Sequence, residues 1–149
     1  MSRILCIRGA LLAGVLAAAG CTTPIQLTSG ETNMCMNVIN HGSPEPGAAV
    51  IMKVCDPWQN QQWVFDDSGQ VTGVGGFCLD VQGSAPTDGA PVIYTPCSGS
   101  PSQRWSARNG AVVGIGGKCL DIAGGYPAQG APLIIAPCNG SPSQQWVSH

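Results

Sequence analysis

Residues 71–81 read VTGVGGFCLDV, and residues 112–122, which lie 41 positions later, read VVGIGGKCLDI. Both stretches place β-forming residues on either side of a Gly-Gly pair, a pattern typical of two short strands joined by a tight turn. An altered copy of the cysteine element, Cys35-Met36-Asn37, stands upstream at a similar distance. A period of this length predicts that the chain is built from copies of one structural unit.

The cysteines and tryptophans indicate that the unit occurs three times. Three pairs of cysteines are separated by 20, 19 and 19 positions, and each second cysteine is followed eight positions later by a tryptophan. The pairs are Cys35 and Cys55, Cys78 and Cys97, and Cys119 and Cys138, and the tryptophans are Trp63, Trp105 and Trp146. The predicted repeats cover residues 25–67, 68–109 and 110–149, each about 42 residues long.

Each repeat carries four strand signals. Two of them are the short strands around the Gly-Gly turn. The third is a β-branched run, at residues 50–54, 92–95 or 133–136, and the fourth is a short segment around the tryptophan. One such unit cannot bury its own apolar face, so three units must close around a shared axis. We therefore predict an all-β fold, a β-trefoil of about twelve strands. The repeat tryptophans and Tyr94 are expected in its core, and Trp58 on its surface.

Two disulfide pairings respect the repeat: within each unit, or between the end of one unit and the start of the next. The second pairing requires a bond between Cys138 and Cys35, at opposite ends of the domain. We predict the pairing within units, Cys35–Cys55, Cys78–Cys97 and Cys119–Cys138. Each bond closes a loop of about twenty residues and contributes roughly 3 kcal/mol. No metal site is expected, because the sequence has no CxxC pair and no nearby set of histidine ligands.

Residues 1–20 are expected to form a signal peptide. Arg3 and Arg8 accompany an eleven-residue apolar run at residues 10–20, which is too short to span a bilayer. The small residues directly before Cys21 resemble a bacterial lipobox, in which the cysteine is diacylated and becomes the mature N-terminus. We predict lipidation of Cys21, a linker over residues 21–24 and a protein anchored outside the cytoplasm, in the outer membrane if the host is Gram-negative. The alternative is plain secretion.

Charge and motif content exclude several function classes. After residue 20 the chain has four basic and eight acidic residues, a net charge of −4, which opposes nucleic-acid binding. Asp66 and Asp67 are adjacent and do not form a glycosidase pair. His41 is expected in an exposed loop and His149 ends the sequence, so no Ser-His-Asp arrangement is indicated. We predict neither catalysis nor a cofactor.

The tryptophan motifs resemble the QxW signature of the ricin B-type lectin family. They are Gln61-Gln62-Trp63, Gln103-Arg104-Trp105 and Gln144-Gln145-Trp146. Cys78-Leu79-Asp80 and Cys119-Leu120-Asp121 resemble the CLD element of the same family, and the likeness covers nearly the whole mature chain. The resemblance implies a β-trefoil with up to three shallow sugar sites, one in each repeat, and no catalysis.

The resemblance also implies which residues contact sugar. Asp80 and Asp121 would accept ligand hydroxyls, and Gln103 and Gln144 would orient these carboxylates. Tyr126 lies in the loop after Asp121 and would offer an aromatic face, which makes the third repeat the best single site. In the first repeat the corresponding residues are Asn37, which stands in place of the aspartate, together with Asn60 and Gln61. For the carboxylates and the glutamines the alternative is a purely structural role.

The sequence departs from the family pattern in the strand before the second cysteine. Sugar-binding members usually carry a polar residue four positions before that cysteine and an aromatic residue two before it. This chain has Ile51, Ile93 and Ile134 at the first position, and Lys53, Thr95 and Ala136 at the second. We predict a lectin-like envelope lipoprotein that binds glycans, of galactose type or from other cell-surface or plant polysaccharides. The alternative is a protein-interaction or toxin-accessory subunit with degenerate sugar sites, which the outward row of isoleucines favours.

Overall fold

A computed structural model describes residues 24–40 and 45–149, which form twelve β-strands and seven single-turn 3-10 helices. The strands are β1 (Leu27–Ser29), β2 (Met34–Val38), β3 (Ala48–Val54), β4 (Val64–Phe65), β5 (Val71–Thr72), β6 (Cys78–Val81), β7 (Val92–Thr95), β8 (Ser106–Arg108), β9 (Ala111–Val113), β10 (Cys119–Ile122), β11 (Leu133–Ala136) and β12 (Trp146–Ser148). No helix within these residues is long and apolar enough to cross a membrane. The predicted signal peptide, Cys21 and His41 lie outside the described residues.

The strand pairing follows the threefold repeat. The last strand of each repeat pairs with the first strand of the next, so that β4 pairs with β5, β8 with β9 and β12 with β1. The two middle strands of each repeat form the hairpins β2–β3, β6–β7 and β10–β11. The second strands of these hairpins also meet in a cycle: β3 pairs with β7, and single bridges join Ile51 to Pro132 and Pro91 to Ile134. This closed arrangement is the predicted β-trefoil.

The repeat tryptophans occupy the core, which confirms the prediction. Trp63, Trp105 and Trp146 are at most 4% exposed. Each indole N–H donates to the backbone carbonyl of the residue after the first cysteine of its repeat; these acceptors are Met36, Leu79 and Leu120, at 3.0, 3.0 and 3.1 Å. Each tryptophan is thus fixed to the hairpin of its own repeat. Tyr94 is fully buried and Trp58 is 63% exposed, both as predicted.

Three disulfide bonds connect the ends of the hairpins. They are Cys35–Cys55, Cys78–Cys97 and Cys119–Cys138, each within one repeat, with Cα atoms 4.9–5.0 Å apart. In each hairpin the first cysteine lies at or near the start of the first strand, and the second follows the second strand. The bonds therefore hold together the ends of the hairpins that carry Asn37, Asp80 and Asp121.

The QxW glutamines lie on helical turns and not in the strand segment predicted around each tryptophan. Gln61, Gln103 and Gln144 end the 3-10 helices Gln59–Gln61, Pro101–Gln103 and Pro142–Gln144. Proline suits the first position of a helix, because its φ is preset and its missing N–H would have no partner there. The turn directs each glutamine toward the hairpin, while the tryptophan two residues later enters the core.

Candidate functional site

The carboxylate of Asp80 is held by two internal donors on the outer face of β6. Its Oδ1 accepts the backbone N–H of Val81 at 2.7 Å, and its Oδ2 accepts Nε2 of Gln103 at 3.0 Å. The side chain is largely covered although it lies on the outer face, because Asp80 is only 7% exposed. A carboxylate offers about four lone-pair positions. Each oxygen of Asp80 therefore keeps one acceptor position beyond its internal bond.

The third repeat reproduces this arrangement around Asp121. The backbone N–H of Ile122 donates to Oδ1 at 2.7 Å, and Nε2 of Gln144 donates to Oδ2 at 3.0 Å. Asp121 is 9% exposed. Two equivalent, pre-oriented carboxylates thus lie in the second and third repeats.

Each of these glutamines makes three hydrogen bonds and is 1% exposed. Besides its bond to Asp80, Gln103 donates to the carbonyl of Pro96 at 3.0 Å and accepts the N–H of Ser98 at 2.7 Å. The matching partners of Gln144 are the carbonyl of Pro137 and the N–H of Asn139, both at 2.9 Å. Each glutamine therefore connects a carboxylate to the loop around the second cysteine, and both N–H donors of its amide are used in internal bonds.

The first repeat has a closed network of amides in the corresponding place. Oδ1 of Asn37 accepts Nδ2 of Asn60 at 2.8 Å and Nε2 of Gln61 at 3.3 Å, so both of its lone-pair positions are used. Nδ2 of Asn37 donates to the carbonyl of Val38 at 2.9 Å. Asn37 and Asn60 are 2% and 3% exposed, and Oδ1 of Asn60 has no hydrogen-bond partner among the described residues. These three predicted residues are together, but their polar groups face each other.

Serines take the place of Asn60 in the other two repeats. Ser102 and Ser143 are buried, and their hydroxyls are 3.0 and 3.2 Å from those of Ser100 and Ser141. Serine is shorter than asparagine, and neither hydroxyl bonds to the neighbouring aspartate. This difference in side-chain length explains why the carboxylates keep free acceptor positions.

An isoleucine faces each of these polar residues across the hairpin. Asn37 is opposite Ile51, Asp80 is opposite Ile93, and Asp121 is opposite Ile134. Directly opposite residues on antiparallel strands point to the same face. On their other sides the isoleucines pair with residues of a neighbouring repeat, namely Pro132, Ala49 and Pro91. All three isoleucines are partly exposed, so each polar residue has an apolar wall beside it.

Tyr126 is the most exposed large hydrophobic residue of the described chain, at 72%. It follows the 3-10 helix Ala123–Gly125, which comes directly after the strand of Asp121. Its hydroxyl makes no hydrogen bond to a described residue, and its exposed ring is accessible to a ligand. Its role beside Asp121 stays a prediction.

Among the described residues, no group of three or more His, Cys, Asp or Glu side chains is placed to hold a metal ion.

The sequence profile of the ricin-type β-trefoil lectin domain matches residues 23–146. The chain belongs to this family. Its ricin-type fold is similar to that of the designed threefold-symmetric protein ThreeFoil, with a TM-score of 0.77 and 29% identity over 84% of this chain and 96% of that one. No curated protein sequence matches it significantly.

Two natural proteins share the fold at lower identity. The C-half of the earthworm R-type lectin, crystallised in complex with GalNAc, has a TM-score of 0.73 and 17% identity over 85% of this chain and 98% of that one. The exo-β-1,3-galactanase of Clostridium thermocellum has a TM-score of 0.75 and 22% identity over 88% of this chain and 31% of that one. Membership of a lectin family supports carbohydrate binding in general terms, and three disulfide bonds are typical of proteins outside the cytoplasm.

Proposed function

We propose that this protein is a non-catalytic carbohydrate-binding protein whose two principal sites are centred on Asp80 and Asp121. One observation carries the proposal: each carboxylate is oriented by a buried glutamine and keeps free acceptor positions. The corresponding amide of Asn37 has both acceptor positions filled. We therefore expect the first repeat, which has Asn37 in place of the aspartate, to be the weakest site, although Asn60 and Gln61 match the family pattern.

The chemistry suits a ligand rich in hydroxyl groups. A fixed carboxylate accepts two neighbouring hydroxyls through charge-assisted hydrogen bonds, which are stronger than neutral ones. The isoleucine opposite each carboxylate offers an apolar surface for the C–H groups of a sugar ring. In the third repeat the exposed ring of Tyr126 adds an aromatic surface. Such shallow sites bind weakly one at a time, and two of them on one domain raise the effective concentration of a multivalent glycan.

We further propose that the protein acts at the cell envelope, anchored through a diacylated Cys21. The lipobox-like sequence before Cys21 and the disulfide-rich domain support export. Two acyl chains are sufficient for a stable membrane anchor, whereas one is not. In the producing cell, Cys21→Ser should move the protein from the membrane fraction to the soluble extracytoplasmic fraction.

A glycan array followed by calorimetry tests the sugar sites. The variants are Asp80→Asn, Asp121→Asn and their combination, with Asp88→Asn as a matched control. Asp88 is also a carboxylate, but it forms an exposed ion pair with Lys118, at 2.6 Å. A hydrogen bond to a charged group contributes about 1.5–3 kcal/mol, so each site should weaken roughly tenfold to a hundredfold.

The double variant should keep its fold and lose glycan binding, while Asp88→Asn should bind as the wild type does. Unchanged binding by the double variant would contradict the proposal. Absence of any glycan response, together with a stoichiometric protein that co-purifies after membrane extraction, would favour the accessory-subunit alternative.

A further inference from the structure

The four basic side chains of the described residues fall into two groups. Lys53 pairs with Asp56 at 3.2 Å, and Lys118 pairs with Asp88 at 2.6 Å. Arg104 and Arg108 have no acidic partner within 4 Å among the described residues, and both are exposed. The only hydrogen bond of the Arg104 side chain to a described residue is a long one, 3.4 Å, to the carbonyl of Gly99. The two cations without an acidic partner therefore lie close together in sequence.

Both arginines line one open groove of about 240 Å³ between the second and third repeats. Arg104, Ser106 and Arg108 alternate along an extended segment that ends in β8, so they share one face, while Trp105 points into the core. Four residues of extended chain place the two arginine Cα atoms about 13 Å apart. The hydroxyl of Ser106 lies between them and makes no internal hydrogen bond within the described chain. Ser68 and Gly114 also line the groove.

Asp66, in the nearest acidic turn, forms no ion pair with either arginine. The Asp66 carboxylate accepts the N–H and the hydroxyl of Ser68, at 2.8 and 2.6 Å, and the N–H of Gln70 at 3.0 Å. All three bonds are accepted by Oδ1, which is thus held within its own turn. Two guanidinium groups and one free hydroxyl remain as the hydrogen-bond donors that side chains present to a ligand in the groove.

The arrangement of the two arginines suits a chain with repeated anionic groups. Their Cα atoms are about 13 Å apart on one face of an extended segment, so acidic groups on different sugars of one chain can contact both side chains. Nucleic acid fits poorly, because the only aromatic residue of the lining is Trp105, which is 4% exposed and offers no stacking surface. Guanidinium groups bind carboxylate and sulfate through paired hydrogen bonds.

We propose that this groove is a second carbohydrate site, separate from Asp80 and Asp121, which binds an acidic polysaccharide. Arg104 and Arg108 pair with acidic groups on different sugars of the chain, and Ser106 donates to an oxygen between them. The protein then holds neutral hydroxyl groups at its carboxylates and acidic groups at this groove.

The test measures binding of oligogalacturonate, a sulfated oligosaccharide, a neutral oligosaccharide and single-stranded DNA to the full mature protein at low and high salt. The variants are Arg104→Gln, Arg108→Gln and both together. The control is Lys53→Gln, which removes the same charge outside the groove. Exposed ion pairs contribute up to about 1 kcal/mol, so each arginine variant should weaken acidic-glycan binding about threefold to fivefold, and the pair at least tenfold.

Salt should weaken the acidic-glycan interaction, Lys53→Gln should leave it unchanged, and the combined Asp80→Asn/Asp121→Asn variant should retain it. That retention separates this groove from the sites proposed above. A stronger response to the oligogalacturonate or to the sulfated oligosaccharide identifies the acidic group. Wild-type affinity in the double arginine variant, equal loss in Lys53→Gln, or equally tight binding of DNA would overturn the proposal.

Discussion

Replacing Gln103 with alanine should destabilise the protein by about 4 kcal/mol, and replacing Gln61 should cost about 3 kcal/mol. A hydrogen bond to a charged group contributes about 1.5–3 kcal/mol, and a neutral one about 0.5–1.5 kcal/mol. Gln103 bonds to the Asp80 carboxylate and to the backbone groups of Pro96 and Ser98. One charged and two neutral bonds therefore give the larger value.

Gln61 is a matched comparison in the same position of the first repeat. It donates to Oδ1 of Asn37 at 3.3 Å and to the carbonyl of Val54 at 3.1 Å, and it accepts the N–H of Asp56 at 2.8 Å. All three of these partners are neutral groups. Gln26 also donates to Gln61 at 3.3 Å, but it has a second acceptor in the carbonyl of Asp56. The expected difference of about 1 kcal/mol between the two variants is thus the extra stabilisation that the charged carboxylate of Asp80 gives compared with the neutral amide of Asn37.

Urea unfolding with the disulfide bonds intact, followed by tryptophan fluorescence, measures these free energies. A difference of 1 kcal/mol corresponds to a change in the midpoint of roughly 0.5 M urea. Gln144→Ala serves as a replicate, because its bonds match those of Gln103 within about 0.2 Å. If Gln61→Ala costs as much as Gln103→Ala and Gln144→Ala, the carboxylate adds nothing to these networks and the reasoning is wrong.

Three further predictions concern stability. Replacing Cys78 and Cys97 with serine should cost about 3 kcal/mol in urea unfolding, because the bond closes a 19-residue separation; an unchanged midpoint would contradict this. Gly114→Ala should cost about 2 kcal/mol in thermal unfolding, because its Cβ would lie 2.6 Å from the Trp105 ring at an ordinary φ of −114°; wild-type stability would refute that contact. Burial raises the pKa of Tyr94 from 10.0 to about 12, so stability should be full below pH 10 and fall as pH rises toward 12. Tyr94→Phe should lack this pH dependence; an equal slope in that variant would assign it to another group.

The fold was accessible from the sequence because the repeat constrains it three times. A single Cys-Leu-Asp element or one tryptophan would have been ambiguous, but the same spacing in three units left few ways to bury Trp63, Trp105 and Trp146 together. The alternation of residues along a strand also accounts for Leu79 and Val81, which enter the core beside the outward Asp80.

The arrangement of the site was less accessible, because it depends on turns and contacts that the repeat does not specify. The Ser-Pro pairs at residues 100–101 and 141–142 signalled helical turns before the QxW glutamines, and that signal was missed. The groove at Arg104 and Arg108 was not predicted. The two lysines have acidic partners and the two arginines do not, and this difference depends on contacts in the folded chain that the sequence does not specify.

The difference in acceptor positions between the first and second repeats arises from two positions that differ together, Asn37 with Asn60 in the first and Asp80 with Ser102 in the second. With Asn37 the site has a neutral amide, and the long side chain of Asn60 reaches it at 2.8 Å, which uses the acceptor position that a ligand would need. With Asp80 the site has a charge, and the short Ser102 leaves that position open. A carboxylate that is only 7% exposed needs donors, because its desolvation is otherwise costly. The backbone N–H and Gln103 satisfy it in part, and the hydroxyl groups of a bound sugar would supply the remaining hydrogen bonds. The same glutamine can therefore stabilise the fold in all three repeats and prepare a binding site in only two of them.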